Sequence, residues 1–257
     1  CSVAMCDVSA DNMAITEELC RATMPAGITV SSFVADVSNE QQLVAFREHV
    51  VRTHCPDSPA LHLLFNNAGV GGGGSFIDDD RSNWEATFNV CWGGVYLGCR
   101  TFMPLLLAAE KGHVVNTSSV NGFWASLGPG VPHTAYSAAK FAVKGFTEAL
   151  ITDFRVNAPH LSASVVMPGH IGTDIVLNSG AYHGRSPKEL TEAQVAEERV
   201  RLAKRGLDVS GASDDDIRLG LQMMGEGFRD TAPTSAAQAA PLARHLSRNP
   251  HPTAILC

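Results

Sequence analysis

A chain of 257 residues with 45% hydrophobic and 18% charged residues is too apolar for a disordered protein and long enough for one domain with a substantial core. A formal charge of -7 argues against nucleic acid or an anionic membrane surface as partner, and no run of 18 apolar residues marks a membrane span. The seven cysteines lack both the spacing of a zinc site and the density of a disulfide scaffold, so they read as reduced, buried residues of a soluble cytoplasmic protein.

Short apolar runs at residues 3–6, 28–35, 61–65, 113–116 and 162–167 read as buried strands separated by helix-sized intervals. Such a rhythm predicts βαβ units and a parallel sheet covered by helices on both faces. The first helix with a clear stripe spans 40–51, with Leu43, Phe46 and Val50 on one side. A second is expected over 84–107, bent or ended near Pro104. A third starts near Tyr136 and carries Phe146, Leu150 and Phe154 at spacing four before Pro159 closes it. Residues 175–230 are rich in glycine and charge and poor in strand-like runs, which suits short helices and mobile loops forming a substrate-covering lid within a single domain over 1–257. A last helix is expected over 231–248, capped by Thr234 or Ser235 and interrupted at Pro241, before a strand-like run at 253–256. The chain opens on Cys1 in one strand-like run and stops at Cys257 in another, so both ends read as incomplete.

Chemistry-bearing residues cluster at the C-terminal ends of these runs. Asp7 follows the first run, where a carboxylate in a doubly wound sheet accepts from both hydroxyls of an adenosine ribose and repels a 2'-phosphate. That favours NAD over NADP; alternatively, Asp7 begins a loop. Asp36 follows the second run and serves either the adenine amino group, with Val37 against the ring, or a helix N-cap. Asn66-Asn67-Ala68-Gly69 follows the third, with small residues that let the backbone approach a cofactor and amides that tie neighbouring strands, or forms an ordinary tight turn. Gly71 to Gly74 lacks the Lys-Ser or Lys-Thr of a phosphate loop and reads as flexible. Tyr136 and Lys140 stand four apart and share a helix face, which gives an acid-base pair or a solvated surface pair.

Taken in order, Asp7, Asp36-Val37, Asn66-Asn67-Ala68-Gly69, Asn89, Asn116-Thr117-Ser118-Ser119, Tyr136-Ser137-Ala138-Ala139-Lys140 and Pro168-Gly169-His170-Ile171-Gly172-Thr173 resemble the classical short-chain dehydrogenase/reductase family. The resemblance implies a Rossmann-like, doubly wound, three-layer α/β/α fold and an NAD-dependent oxidoreductase interconverting a secondary alcohol and a carbonyl. It implies Ser119, Tyr136, Lys140 and Asn89 as the catalytic group. Asp7, Asp36, Val37, Asn66, Ala68, Gly69, Tyr136, Lys140, Pro168, Gly169 and Thr173 would contact the cofactor. The family's glycine-rich strand-turn-helix would precede Asp7 and is absent from this sequence. Dimers or tetramers and a small alcohol or carbonyl substrate are also implied. The alternatives are a noncatalytic protein of the same fold and an NADP-dependent carbonyl reductase.

Hydride transfer to a nicotinamide needs no metal, and the ten histidines show no ligand-like spacing, so no metal is expected. His170 lines the pocket or faces solvent rather than acting as a second acid-base group. Between Ser119 and Tyr136 the segment is about four residues longer than the family's usual form, and it carries Phe123 and Trp124 as pocket or core rings.

Overall fold

The computed structural model describes residues 1–125 and 132–239, together with the backbone of Ile255–Leu256. The chain runs through β1 (Val3–Asp7), α1 (Ala10–Thr23), β2 (Val30–Val34), α2 (Glu40–His54), β3 (Leu63–Asn66), α3 (Arg81–Phe88), α4 (Gly94–Leu107) and β4 (Gly112–Thr117). It continues through α5 (Thr134–Asn157), β5 (Leu161–Met167), β6 (Ile171–Gly172), α6 (Ile175–Tyr182), α7 (Glu192–Lys204), α8 (Asp214–Asp230), β7 (Thr234–Ser235) and β8 (Ile255–Leu256). Polar residues start the helices where the pattern requires: Ser9 accepts from Asn12 N at 3.2 Å, and Asn39 accepts from Gln42 N at 3.2 Å. Asn39 therefore takes the cap of α2, and Asp36 does not.

Every strand pairing is parallel, as buried apolar runs separated by helices demand. The two faces can be read from neighbouring serines of β2. Ser31 meets His49 and His54 of α2, whereas Ser32 donates to Glu17 of α1, so α1 and α2 cover opposite sides. Leu43 and Phe46 of α2 share a core with Phe102 and Leu105 of α4; Val95 and Leu106 of α4 share another with Val143 and Phe154 of α5. Each fully buried side chain of this kind stabilises the fold by about 1.5–3 kcal/mol. The result is the three-layer α/β/α arrangement.

One interruption matters for the site. β1 pairs only with β2, while β3, β4, β5 and β8 form a separate ladder in that order. Yet Ala4 and Cys6 of β1 and Leu64 of β3 pack on the same core beneath α2 and α4. The two ladders therefore lie in one layer, and among the described residues no strand bond joins β1 to β3.

The helix expected over 84–107 begins earlier, at Arg81, and runs through Pro104 to end at Leu107. A five-residue π turn, Asn89–Gly93, divides it instead into α3 and α4. By length and apolarity the Arg81–Leu107 rod matches a membrane span, but 56% of its most apolar window is buried, packed between α2 and α5 as a core helix. In the region expected to be helical over 231–248, Thr234–Ser235 pair with β6, and Ser235 accepts from Gln238 N at 3.2 Å as a cap. Pro241 lies outside the described residues.

Two histidines link the fold to pH. His113, on β4, is buried against Ser164 of β5 with Nε2 3.0 Å from the hydroxyl, and burial pushes its pKa down. His54 is pushed down by burial first and by the neighbouring His49 second; Ser31 Oγ lies 2.8 Å from one ring and 3.0 Å from the other. A histidine whose folded pKa lies below its unfolded value of about 6.5 contributes stability that is complete above that pH and is lost as pH falls toward the folded value. Thermal unfolding is accordingly expected at a lower temperature at pH 5.5 than at pH 7.5, with a flatter dependence in His113→Asn. A melting temperature that rises on acidification would contradict this assignment.

Candidate active site

The C-terminal ends of β3 and β4 are fastened to each other and to α5 by side-chain amides and hydroxyls. Asn66 Nδ2 donates to Asn116 Oδ1 at 2.8 Å, and Asn116 Nδ2 donates to Thr147 Oγ1 of α5 at 2.9 Å. Thr117 Oγ1 donates to Asn67 Oδ1 at 3.0 Å. Asn116 is fully buried, so removing any partner would strand a polar group at a cost of about 1–3 kcal/mol. Asn66 and Asn67 thus tie the strands as expected, leaving the exposed Ala68 and the half-buried Gly69 at the rim.

Lys140 and Tyr136 converge there. Lys140 is 3% exposed, its Nζ donates to Thr117 O at 2.9 Å, and it lies 5.5 Å from the centroid of the Tyr136 ring. The solvated-pair reading of these residues fails on that burial. Their helix is clamped to the end of β4: Ser118 Oγ donates to Lys140 O at 2.7 Å, and a Cβ on Gly122 would come within 2.6 Å of the same oxygen. Glycine at 122 is thus a requirement of the close approach. Ser119 is buried in this clamp. Its hydroxyl accepts from Asn121 N at 3.1 Å and lies 3.4 Å from Pro168 O, which also accepts from Val120 N at 3.0 Å. The loop Pro168-Gly169 is thereby held beside Ser119. Thr173, half-buried, follows β6 directly.

The glycine run is not a flexible loop. Gly73 O and Gly74 O accept from Ala135 N and Thr134 N at 3.0 Å each, supplying the first unsatisfied donors of α5 just before Tyr136. Gly72 and Gly73 have φ of 138° and 54°, which only glycine adopts readily. Across the run lies α6. Ser179 Oγ accepts from Gly71 N at 2.8 Å, and His183 Nε2 donates to Gly71 O at 3.0 Å. The Tyr182 phenol is pushed above its ordinary value by burial and then by the charge of Asp36, a hydrogen bond to Ser38 acting the other way. Helix α6 therefore reaches from the glycine run to the end of β2.

Asp7 and Asp36 close the C-terminal ends of the adjacent strands β1 and β2. Asp7 accepts from Ser9 N at 2.9 Å, and Asp36 accepts from Ser38 N and Ser38 Oγ at 2.8 and 2.7 Å. Val37 presses on Gly94 of α4, where a Cβ would come within 2.6 Å of it. Asn89 is the residue not brought in: it is exposed, and its side chain joins none of these bonds. Cys91, two residues on and one of the seven cysteines read as buried, is fully buried against the Gly69 loop. His170 is half-buried and packs on Phe228, with ring centroids 4.0 Å apart and Nε2 donating to Phe228 O at 2.5 Å. Phe123 and Trp124 are exposed and are not core residues. Gly128, Pro129 and Gly130 of the long segment lie outside the described residues.

Residues 1–182 match the family model described as short chain dehydrogenase. The chain belongs to that family. It is 33% identical over 190 residues to SadH of Mycobacterium tuberculosis, a match that covers 74% of this chain but only 65% of SadH. A short-chain dehydrogenase/reductase from Burkholderia phymatum, solved with NAD, is 29% identical and superposes with a TM-score of 0.62 over 98% of this chain and 88% of its own. A metagenomic short-chain oxidoreductase solved with NADP is 22% identical, with a TM-score of 0.55 over 91% of this chain and 83% of its own, and shows the shared fold. The fold is that of NAD(P)-linked oxidoreductases.

Proposed function

We propose that the protein interconverts a secondary alcohol and a carbonyl with NAD, using Tyr136 as acid-base group, Lys140 as its cationic partner and Ser119 as donor to the substrate oxygen. The observation that carries this reading is the buried ammonium of Lys140, fixed on Thr117 O and 5.5 Å from the Tyr136 ring. The anionic form of a phenol is the form that accepts a proton, and a positive charge held close to it is the partner such a form requires. In alcohol oxidation the substrate hydroxyl gives its proton to Tyr136 Oη as the C–H electron pair leaves with the hydride; carbonyl reduction reverses both transfers. Ser119 donates to the oxygen on which charge develops. A bound nicotinamide supplies the hydride acceptor or donor.

The residues present fit such a cofactor at its two ends. Gly69 leaves open the space where a Cβ would lie 3.4 Å from Lys140 Nζ, so the backbone there can be approached closely. Pro168, held beside Ser119, and Gly169 and Thr173, which follow it in the chain, would hold the carboxamide; Asn66 stiffens the loop bearing Ala68 and Gly69. At the other end, Asp7 and Asp36 offer carboxylates, with Val37 between them and α4. The NAD held by the Burkholderia relative supports the same choice here. The helices over 175–230 form the lid: α6 spans the site, and α7 and α8 have a small core of their own around Val195 and Ile217.

The pyrophosphate requires amides facing an anion. Three features support a further strand-turn-helix in the break between β1 and β3: the unpaired strand edges, Phe65 of β3 left 44% exposed on the face away from α4, and the stripe of Ile15 and Leu19 on α1, left 60% and 66% exposed. A parallel strand would pair both edges, and its helix would cover both apolar surfaces.

Cofactor choice is tested by titrating NAD and NADP into the protein. NAD is expected to bind at least about tenfold more tightly than NADP, with the preference lost in Asp7→Ala, because the carboxylate provides ribose bonds and repels the extra phosphate. Equal affinity for the two cofactors in the unmodified protein would sink the assignment of Asp7. A panel of secondary alcohols and ketones, followed by nicotinamide absorbance, identifies the substrate.

A further inference from the structure

We infer that Ser179 and His183, on α6 and at its C-terminal end, are positioning residues for Tyr136 that act through the glycine run Gly71 to Gly74; the inference rests on the dehydrogenase reading above. The two members of the Tyr136 and Lys140 pair have different anchors. Lys140 is held by the end of β4: its Nζ donates to Thr117 O at 2.9 Å, and Ser118 Oγ donates to Lys140 O at 2.7 Å. Tyr136 stands one turn earlier, at the third residue of α5, where the first amides have no helical carbonyl before them. Gly74 O accepts from Thr134 N and Gly73 O from Ala135 N, at 3.0 Å each. The turn that carries the phenol therefore takes its place from the glycine run.

The run in turn takes its place from α6. Gly71 is pinned at both polar groups of its backbone, the N–H donating to Ser179 Oγ at 2.8 Å and the carbonyl accepting from His183 Nε2 at 3.0 Å. Ser179 is buried, and its own hydroxyl donates to Ile175 O at 2.5 Å, which leaves its lone pairs to face Gly71. Between the two anchors the chain has no slack. A Cβ on Gly72 would come within 2.6 Å of His183 Nε2, and a Cβ on Gly73 within 2.5 Å of the Ala135 side chain and 3.0 Å of the Trp84 backbone. Two residues wedged in this way pass a shift of one end to the other, because a close-packed interior does not absorb it. Helix α3 braces both ends: Thr87 Oγ1 lies 3.4 Å from His183 Nε2, and Trp84 Nε1 donates to Thr134 Oγ1 at 3.0 Å. Undocking α6 thus loosens the Tyr136 end of the pair while the Lys140 end stays on β4, and the phenol moves relative to the ammonium.

Amide exchange and kinetics test this in Ser179→Ala, His183→Ala and His183→Gln, the last of which returns an N–H donor to the place of Nε2. Without cofactor, exchange at Gly71, Thr134 and Ala135 is expected to speed up by about tenfold or more in both alanine variants and to return to within about threefold of the parent in His183→Gln. Turnover at saturating cofactor and substrate should fall about tenfold or more in both alanine variants and recover in His183→Gln, with cofactor affinity within about twofold of the parent throughout, since small displacements at a reacting centre are costly. Parental exchange at Thr134 and Ala135 in the alanine variants overturns the inference, and so does a raised KM with kcat unchanged, which would make α6 a cover alone. Should the alanine variants fail to fold, exchange in the unmodified protein decides: protection of Gly71, Thr134 and Ala135 within about tenfold of one another supports a single opening unit, and a larger spread refutes it. Loss of turnover in Tyr136→Phe with parental kcat and exchange in both alanine variants removes this inference alone; full turnover in Tyr136→Phe removes the dehydrogenase reading beneath it.

Discussion

Tyr136→Phe is expected to lower kcat by about 10²–10⁴-fold while leaving cofactor affinity within about twofold of the parent. The substitution removes one oxygen and keeps the ring, so its packing against His133 and its place above Lys140 remain. What disappears is the hydroxyl that the proposed mechanism uses to pass a proton to or from the substrate oxygen. The effect should fall on kcat and kcat/KM alike, because the proton moves in the transition state and not in binding. Steady-state kinetics on the substrate found by the alcohol and ketone panel, with cofactor titration by tryptophan fluorescence, separates the two quantities. A variant that keeps more than a tenth of the parent's turnover would assign the proton transfer elsewhere.

The parts of the molecule legible in the sequence were those that local pattern determines. Runs such as 113–116 and 162–167 are apolar without alternation because both sheet faces are covered, and they became β4 and β5. The spacing of Phe146, Leu150 and Phe154 gave the buried face of α5. Tyr136 and Lys140 were readable because four residues on a helix fix a shared face regardless of tertiary context. The setting of Asn89 was not legible for the opposite reason: nothing in its sequence surroundings announces the π turn in which it lies exposed. The glycine run misled in a similar way: its composition permits flexibility, but the carbonyls it presents are committed to the first turn of α5. The capping role of Asp36 was undecided between two local readings, and Asn39 took it by standing next to the first helical residue.

Lys140→Met should impair both cofactor binding and chemistry, in contrast to the tyrosine variant. Methionine keeps most of the buried volume and removes the charge, so the fold is spared the cavity that alanine would leave. The carbonyl of Thr117 loses its donor, and the Gly69 loop and the Tyr136 ring lose the ammonium beside them. Cofactor affinity is expected to drop by about tenfold or more, the loss of one charge-assisted hydrogen bond, and kcat for alcohol oxidation by about 10²-fold or more. The two losses are read separately, by cofactor titration and by kcat at saturating cofactor. A Lys140→Met variant with the parent's kcat at saturating cofactor would mean that the ammonium serves the cofactor alone.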